Sequence, residues 1–199
     1  MKRFINTIAA IALTSPFGIL AAQEISLNDQ IAEAVSPLPE TLRADATVIT
    51  YDAKGDPQVL RQGSNGIVCQ TNQPSPTAGF NVACYAKALA PQYDMTAKLR
   101  AQGKDQPAIQ AALKDARDSG KLQPPPMGSM SYSKSGKTAA EAHVLWVMRV
   151  PNATAESLGL PTKAGKGSPW MMNSGLPTAH VMMPQTESSL AAAPPRKQP

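Results

Sequence analysis

Hydrophobic and polar positions change period twice along the chain. Residues 23–35, "QEISLNDQIAEAV", are polar and helix-like and predict a short N-terminal helix, which "SPLPE" breaks. "ATVITYD" then alternates. Val48 and Thr50 fall on one face, and Thr47, Ile49 and Tyr51 on the other, as in a half-buried strand. "AKGDP" turns, "QVLRQ" returns, "GSNG" turns again, and "IVCQT" and "NVACYA" follow as further strands. Residues 46–86 therefore read as a small antiparallel meander. In that reading Asn65 and Gly66 supply the positive φ of a tight hairpin. Arg61 projects from the strand before the turn, with Asp52 or Asp56 as its expected partner.

The period lengthens in the middle. In "APQYDMTAKLRAQGK", Met95 and Leu99 lie four apart and Gly103 stands at the C-cap. Asp105 can cap a second run, with Pro107 tolerated in its first turn. Ile109, Ala112, Leu113 and Ala116 then form an apolar stripe, and Gly120 ends it. These runs predict a helical hairpin over 91–119 whose stripe packs on the sheet. Alternation returns after the proline-rich "LQPPPMGSM". "HVLWVMRVP" is the strongest strand in the chain. His143, Leu145, Val147 and Arg149 share one face, and Val144, Trp146, Met148 and Val150 the other. "SPWMM" and "AHVMMP" are further short strands. The expected class is α+β: an antiparallel sheet with a helical hairpin on one face. A single domain covers 23–184, and the Ala/Pro-rich residues 185–199 read as a disordered tail.

The first residues alter the charge picture. Lys2 and Arg3 precede the uncharged apolar run "FINTIAAIALTSPFGIL", and "AAQE" offers a small-residue cleavage site, so residues 1–22 read as a secretory signal peptide. No later segment approaches a transmembrane span. Of 19 basic residues the leader takes two, leaving 17 against 14 acids, a net +3 in place of +5. No clustered basic face with stacking aromatics points to nucleic acid. The expected location is the periplasm or the medium. There, an even pair of cysteines, Cys69 and Cys84, reads as a disulfide.

Several strings carry no chemistry. "SGKT", Ser135 to Thr138, lacks the earlier glycine of a phosphate loop, since Ser131 stands in its place. "NAT" at Asn152 reads as a turn, and no nucleophile elbow occurs. Glu141 and His143, two residues apart, offer an acid–base pair. "AHVLWV" and "AHVMMP" echo one another, each opening a strand with histidine. His180 and Met182 face the same side. With His143 brought close, imidazole and thioether form a soft ligand set suited to copper(I), so His143, His180 and Met182 are the candidate metal residues. The competing reading makes them structural, because methionine fills irregular cores.

"LRADATVITYD", "VLRQGSNGIVCQTN" with the later Cys84, "MGSMSY", and "GSPWMMNSGLPTAHVMMP" resemble a family of uncharacterised exported bacterial proteins, over roughly residues 42–184. The resemblance implies that Asn65, Gly66, Cys69, His180 and Met182 recur in such proteins, and it implies no activity or catalytic residue. The leading expectation is an exported, non-enzymatic binding or envelope-associated module. Its partner would be an unknown small molecule or an envelope protein, and it needs no cofactor. The alternatives are a periplasmic enzyme with a histidine acid–base, or a copper-binding protein.

Overall fold

The computed structural model describes residues 25–73, 79–165 and 167–191. The expected leader and the last residues of the expected tail lie outside them. Every alternating run forms a strand: β1 (Thr47–Tyr51), β2 (Pro57–Arg61), β3 (Ile67–Gln70), β4 (Phe80–Ala86), β5 (Met130–Gly136), β6 (His143–Arg149), β7 (Trp170–Met172) and β8 (His180–Gln185). They make one eight-stranded sheet in the order β2-β1-β3-β4-β5-β6-β8-β7. All neighbours are antiparallel except β1 and β3, which run parallel. The class is α+β, with a mixed and mostly antiparallel sheet.

The parallel pair corrects the meander. β2 and β3 do not meet; they flank β1, and residues 62–66 cross over its end. The crossing is tight, because a Cβ on Gly63 would lie 2.2 Å from the Asp45 carbonyl oxygen and 2.4 Å from the Thr47 nitrogen. Only glycine lets the chain pass so close. Asn65 and Gly66 are therefore not a two-residue hairpin. Gly66 has φ +74°, the Asn65 side chain donates to Leu42 O at 2.9 Å, and its oxygen accepts from the Ile67 amide at 3.1 Å. Arg61 is corrected too. Its guanidinium donates to Ala46 O at 3.2 and 3.0 Å and to Arg43 O, carbonyls beside the end of the short helix α2 (Glu40–Arg43). Asp52 instead accepts from the amides of Lys54 and Asp56, both at 2.9 Å. A buried-side donor with several N–H groups meets loose carbonyls more readily than an exposed carboxylate across a turn.

One sheet face, the front, carries the main core. Helix α1 (Leu27–Ala34) starts at Ser26, whose Oγ accepts from the Asp29 amide at 3.2 Å. Ala34, Val35 and Leu38 pack on Ala46, Val48, Cys69, Cys84 and Tyr132. Cys69 and Cys84 stand opposite one another in register and form the expected disulfide, closing a separation of 15 residues with neither cysteine exposed. Trp146 meets Tyr132 edge-on, with centroids 5.6 Å apart, and donates to Pro37 O at 3.1 Å. A second front cluster, under β6, β7 and β8, joins Val150, Met171, Ala179 and Val181.

The other face, the back, is covered on one side by α3 (Ala90–Ala101), which is followed by α4 (Gln106–Asp118). Asp105 caps α4 as expected, accepting from the Ala108 amide at 2.9 Å. The α4 stripe does not lie on strands, however. Ile109, Leu113 and Ala116 close against Leu122, Met95 and Leu99, so the two helices bury their apolar sides in each other.

Three more differences concern the later chain. β5 forms in "MSYSKSG", outside the expected strands, where Met130, Tyr132 and Lys134 alternate with three serines. β8 continues through Pro184, which pairs with Leu145. β7 reaches only His180 to Met182, so at Pro184 β8 is an edge, and the missing N–H breaks no ladder. The chain then turns into a short helix, α5 (Glu187–Leu190), whose Leu190 is buried. Asn152 does form a turn, at φ 64°.

Candidate functional site

The echo between the two histidine strands has a geometric consequence. β6 and β8 pair directly but run in opposite directions, with Arg149 opposite His180 and Val144 opposite Gln185. A motif repeated along the sequence is thereby placed at opposite ends of the pair. His143 sits beside Ser135 at one end, six positions from the His180 row, or about 20 Å along the strand. One ion cannot take both imidazoles. His143 is exposed, and with Lys137 and Glu141 it lines an open cleft of about 390 Å³. Glu141 lies in the turn before β6 rather than on it.

His180 and Met182 do share a face, the back one. Pairing extends that face into rows. Arg149, His180 and Met172 form one row, Val147, Met182 and Trp170 the next, and Leu145 and Pro184 a third. Leu145, Val147, Met182 and Trp170 are half-buried and belong to none of the three apolar clusters. On the other half of the same face, Ile49, Gln70, Ala83, Tyr85 and Ser131 are buried. The back of the sheet thus has a covered half and a bare apolar half.

The bare half has a cationic end. His180 Nδ1 lies 2.8 Å from Thr178 O, a carbonyl that only accepts, so this nitrogen carries the proton of the neutral ring. Burial lowers the His180 pKa, and the Arg149 charge adds to the effect against the opposing bond to Thr178. Arg149 is half-buried, and its guanidinium makes no hydrogen bond or ion pair among the described residues. Beyond Thr178 a cleft of about 580 Å³ separates the β7–β8 loop from α4, with Leu176 and Pro177 facing Lys114, Arg117 and Pro124. Lys114 is paired with Asp118. Arg117 is half-buried and has no such partner among the described residues.

Alternation alone puts Leu145, Val147 and Arg149 on one face of β6 and His180 and Met182 on one face of β8; the strand order joins these faces and adds Trp170. The signal was present. "HVLWVMR" is apolar on both faces, a pattern that calls for cover on both sides of a strand. Among the described residues no group of three or more His, Cys, Asp or Glu side chains converges, and no helix is long and apolar enough to cross a membrane. No protein-family model, curated protein or solved structure matches the chain.

Proposed function

We propose that the chain is an exported, non-catalytic binding module and that the bare half of the back face, from Leu145 to Arg149 and across Met182 to Trp170, is its ligand surface. The leader-like residues 1–22 and the buried Cys69–Cys84 disulfide support export, since disulfides persist in oxidising compartments. The likeness of its motifs to uncharacterised exported proteins agrees with that reading. One observation carries the binding assignment: large apolar side chains in adjacent rows of a sheet, only partly buried and, among the described residues, outside the three core clusters. Contiguous apolar surface of this kind marks an interaction site on a water-facing protein.

An environment-sensitive apolar dye, 8-anilinonaphthalene-1-sulfonate, tests it. The folded chain is expected to bind the dye, and Met182→Glu to weaken binding at least about tenfold with an unchanged melting profile, because a charge is set into the strip. Dye binding that is absent, or indifferent to M182E, overturns the reading.

A further inference from the structure

Granting that binding surface, we propose that its occupant is a free long-chain carboxylate, with the acyl chain along Met182, Trp170, Val147 and Leu145 and the carboxylate at Arg149. The proposal rests on the bare face being the ligand surface and adds the ligand's chemistry.

Charge complementarity is the first argument. Arg149 is half-buried beside an apolar strip and no described acid answers it. A guanidinium held against apolar surface stabilises a bound anion far more than one free in water, because local screening is weaker. Its planar fork matches a carboxylate with two parallel N–H···O bonds. The neighbouring His180 adds no negative charge, and the adjoining cleft is lined by Arg117, which has no ion-pair partner among the described residues, and by the Lys114–Asp118 pair, whose charges offset each other. The surface therefore offers positive charge at one end and none of the opposite sign along its rows.

Shape is the second. From the Arg149 row to the Leu145 row is four residues, about 13 Å of strand. That is a long, narrow apolar track running from Arg149 to Leu145, with His143 and the Lys137–Glu141 cleft beyond its far end, and it has room for one extended chain with its head group at Arg149. Leu176, 53 % exposed, and Pro177 continue the apolar wall into the cleft.

The sheet edge supplies the third, by disfavouring a peptide. A strand added beside β7 needs free backbone donors. The Met171 amide is already bonded to Pro161 O at 2.8 Å, and farther along the edge of β8 Pro184 has no N–H. Recognition here falls to side chains, which suits an amphiphile without a backbone.

Calorimetric titration of the purified chain decides it, with dodecanoate, 1-dodecanol, phosphatidylglycerol vesicles and a short acidic, leucine-rich peptide as probes. Dodecanoate is expected to bind, and dodecanol about tenfold or more weaker. Arg149→Gln should remove that preference without shifting the melting temperature, and Arg149→Lys should restore part of it, since the charge returns without the fork. Equal affinity for dodecanoate and dodecanol, or a preference untouched by R149Q, overturns the carboxylate proposal while leaving an apolar binding surface standing. Binding of vesicles or peptide without binding of dodecanoate overturns it as well. Failure of every probe together with the dye removes the binding surface itself. Should R149Q unfold the chain, the dodecanoate-to-dodecanol ratio of the unaltered protein still decides the outcome.

Discussion

The two halves of the back face are built from the same strands and finished differently. Under α3 the sheet is closed by a ring stack and a polar chain. Tyr93 lies on Tyr85 with centroids 3.7 Å apart. Tyr51 donates to Asp94 at 3.0 Å, and with its proton so engaged it accepts from Tyr85 at 3.2 Å. Burial raises the pKa of both phenols, so each stays a neutral hydrogen-bond group at any physiological pH. The phenols of Tyr51 and Tyr85 and the Asp94 carboxylate are thus linked to one another under the helix, as a low-dielectric site favours. Over the back of β6, β8 and β7 the described residues form no equivalent ring stack or polar chain. Among the described residues the Arg149 guanidinium has no hydrogen-bond or ion-pair partner, and Trp170, Met182, Val147 and Leu145 belong to none of the three clusters. The covered half is shaped to hold the fold, and the bare half is left over from it. Apolar surface left only partly buried on one face of a sheet is suited to a partner.

The largest expected break in this contrast is covalent. The disulfide joins β3 to β4 on the front face, directly behind the covered half, and none joins the strands of the bare half. Replacing Cys69 and Cys84 together by alanine frees a separation of 15 residues in the unfolded chain. The loss should be about 3 kcal/mol in the chain-entropy account, lowering the melting temperature by roughly 6–12 °C. Calorimetry of the double variant checks it. An unchanged transition would mean that the sheet's covered half owes nothing to its staple.

A matched pair of substitutions sharpens the comparison next. Ile49, Gln70, Ala83, Ser133, Leu145 and Pro184 form one row across the back face. Ile49, 5 % exposed, lies in the covered half and Leu145 in the bare one. Ile49→Ala should cost about 3 kcal/mol, within the range for a buried aliphatic side chain that leaves a cavity. Leu145→Ala should cost under about 1 kcal/mol, since solvent fills the space. Denaturant unfolding of both variants gives the ratio. Equal costs would show that the bare half is part of the core and that no surface is left for a ligand.

How far these halves were legible from the sequence follows from which signals are local. Alternation in "ATVITYD" and "HVLWVMRVP" and the Asp105 cap depend on neighbours in the chain, and each forms as read. Cys69 and Cys84 were legible as a pair from their even count, and the fold sets them opposite one another in register. The crossing at Gly63 and the partners of Arg61 are long-range facts. Both depend on residues 43–47 arriving at the same spot, which no period in the sequence announces. The α4 stripe was legible as a stripe but not in its target, because apolar residues at helical spacing fit a helix or a sheet equally well. The histidine echo misled for a related reason. Sequence repetition fixes residue types and says nothing of strand direction, and antiparallel pairing sent the two ends apart. His180 with Met182 needed only the two-residue alternation, so that pair was read correctly. Their neighbours Arg149 and Trp170 needed the strand order, so those were not.

The smallest effect tests whether the bare half is as dry as its rows imply. Folding lowers the His180 pKa, mainly by burial. Below about pH 6.5, the ring's ordinary value, the unfolded chain therefore takes up a proton that the folded chain resists. The sign follows: this ring's contribution to stability is fully present above pH 6.5 and falls away as the pH drops toward the lower folded value. The ring is only partly buried, so solvent screens the effect, and the expected loss is under about 2 °C in melting temperature between pH 7.5 and 5. His180→Gln removes the titration while keeping a polar side chain, and its melting temperature should fall less over the same interval than that of the unaltered chain. Bound dodecanoate would add a counter-charge beside Arg149 and favour the protonated ring, so a saturating amount should shrink or reverse the difference. Identical pH profiles for H180Q and the unaltered chain would place His180 in open solvent and take the dry floor away from the proposed carboxylate end.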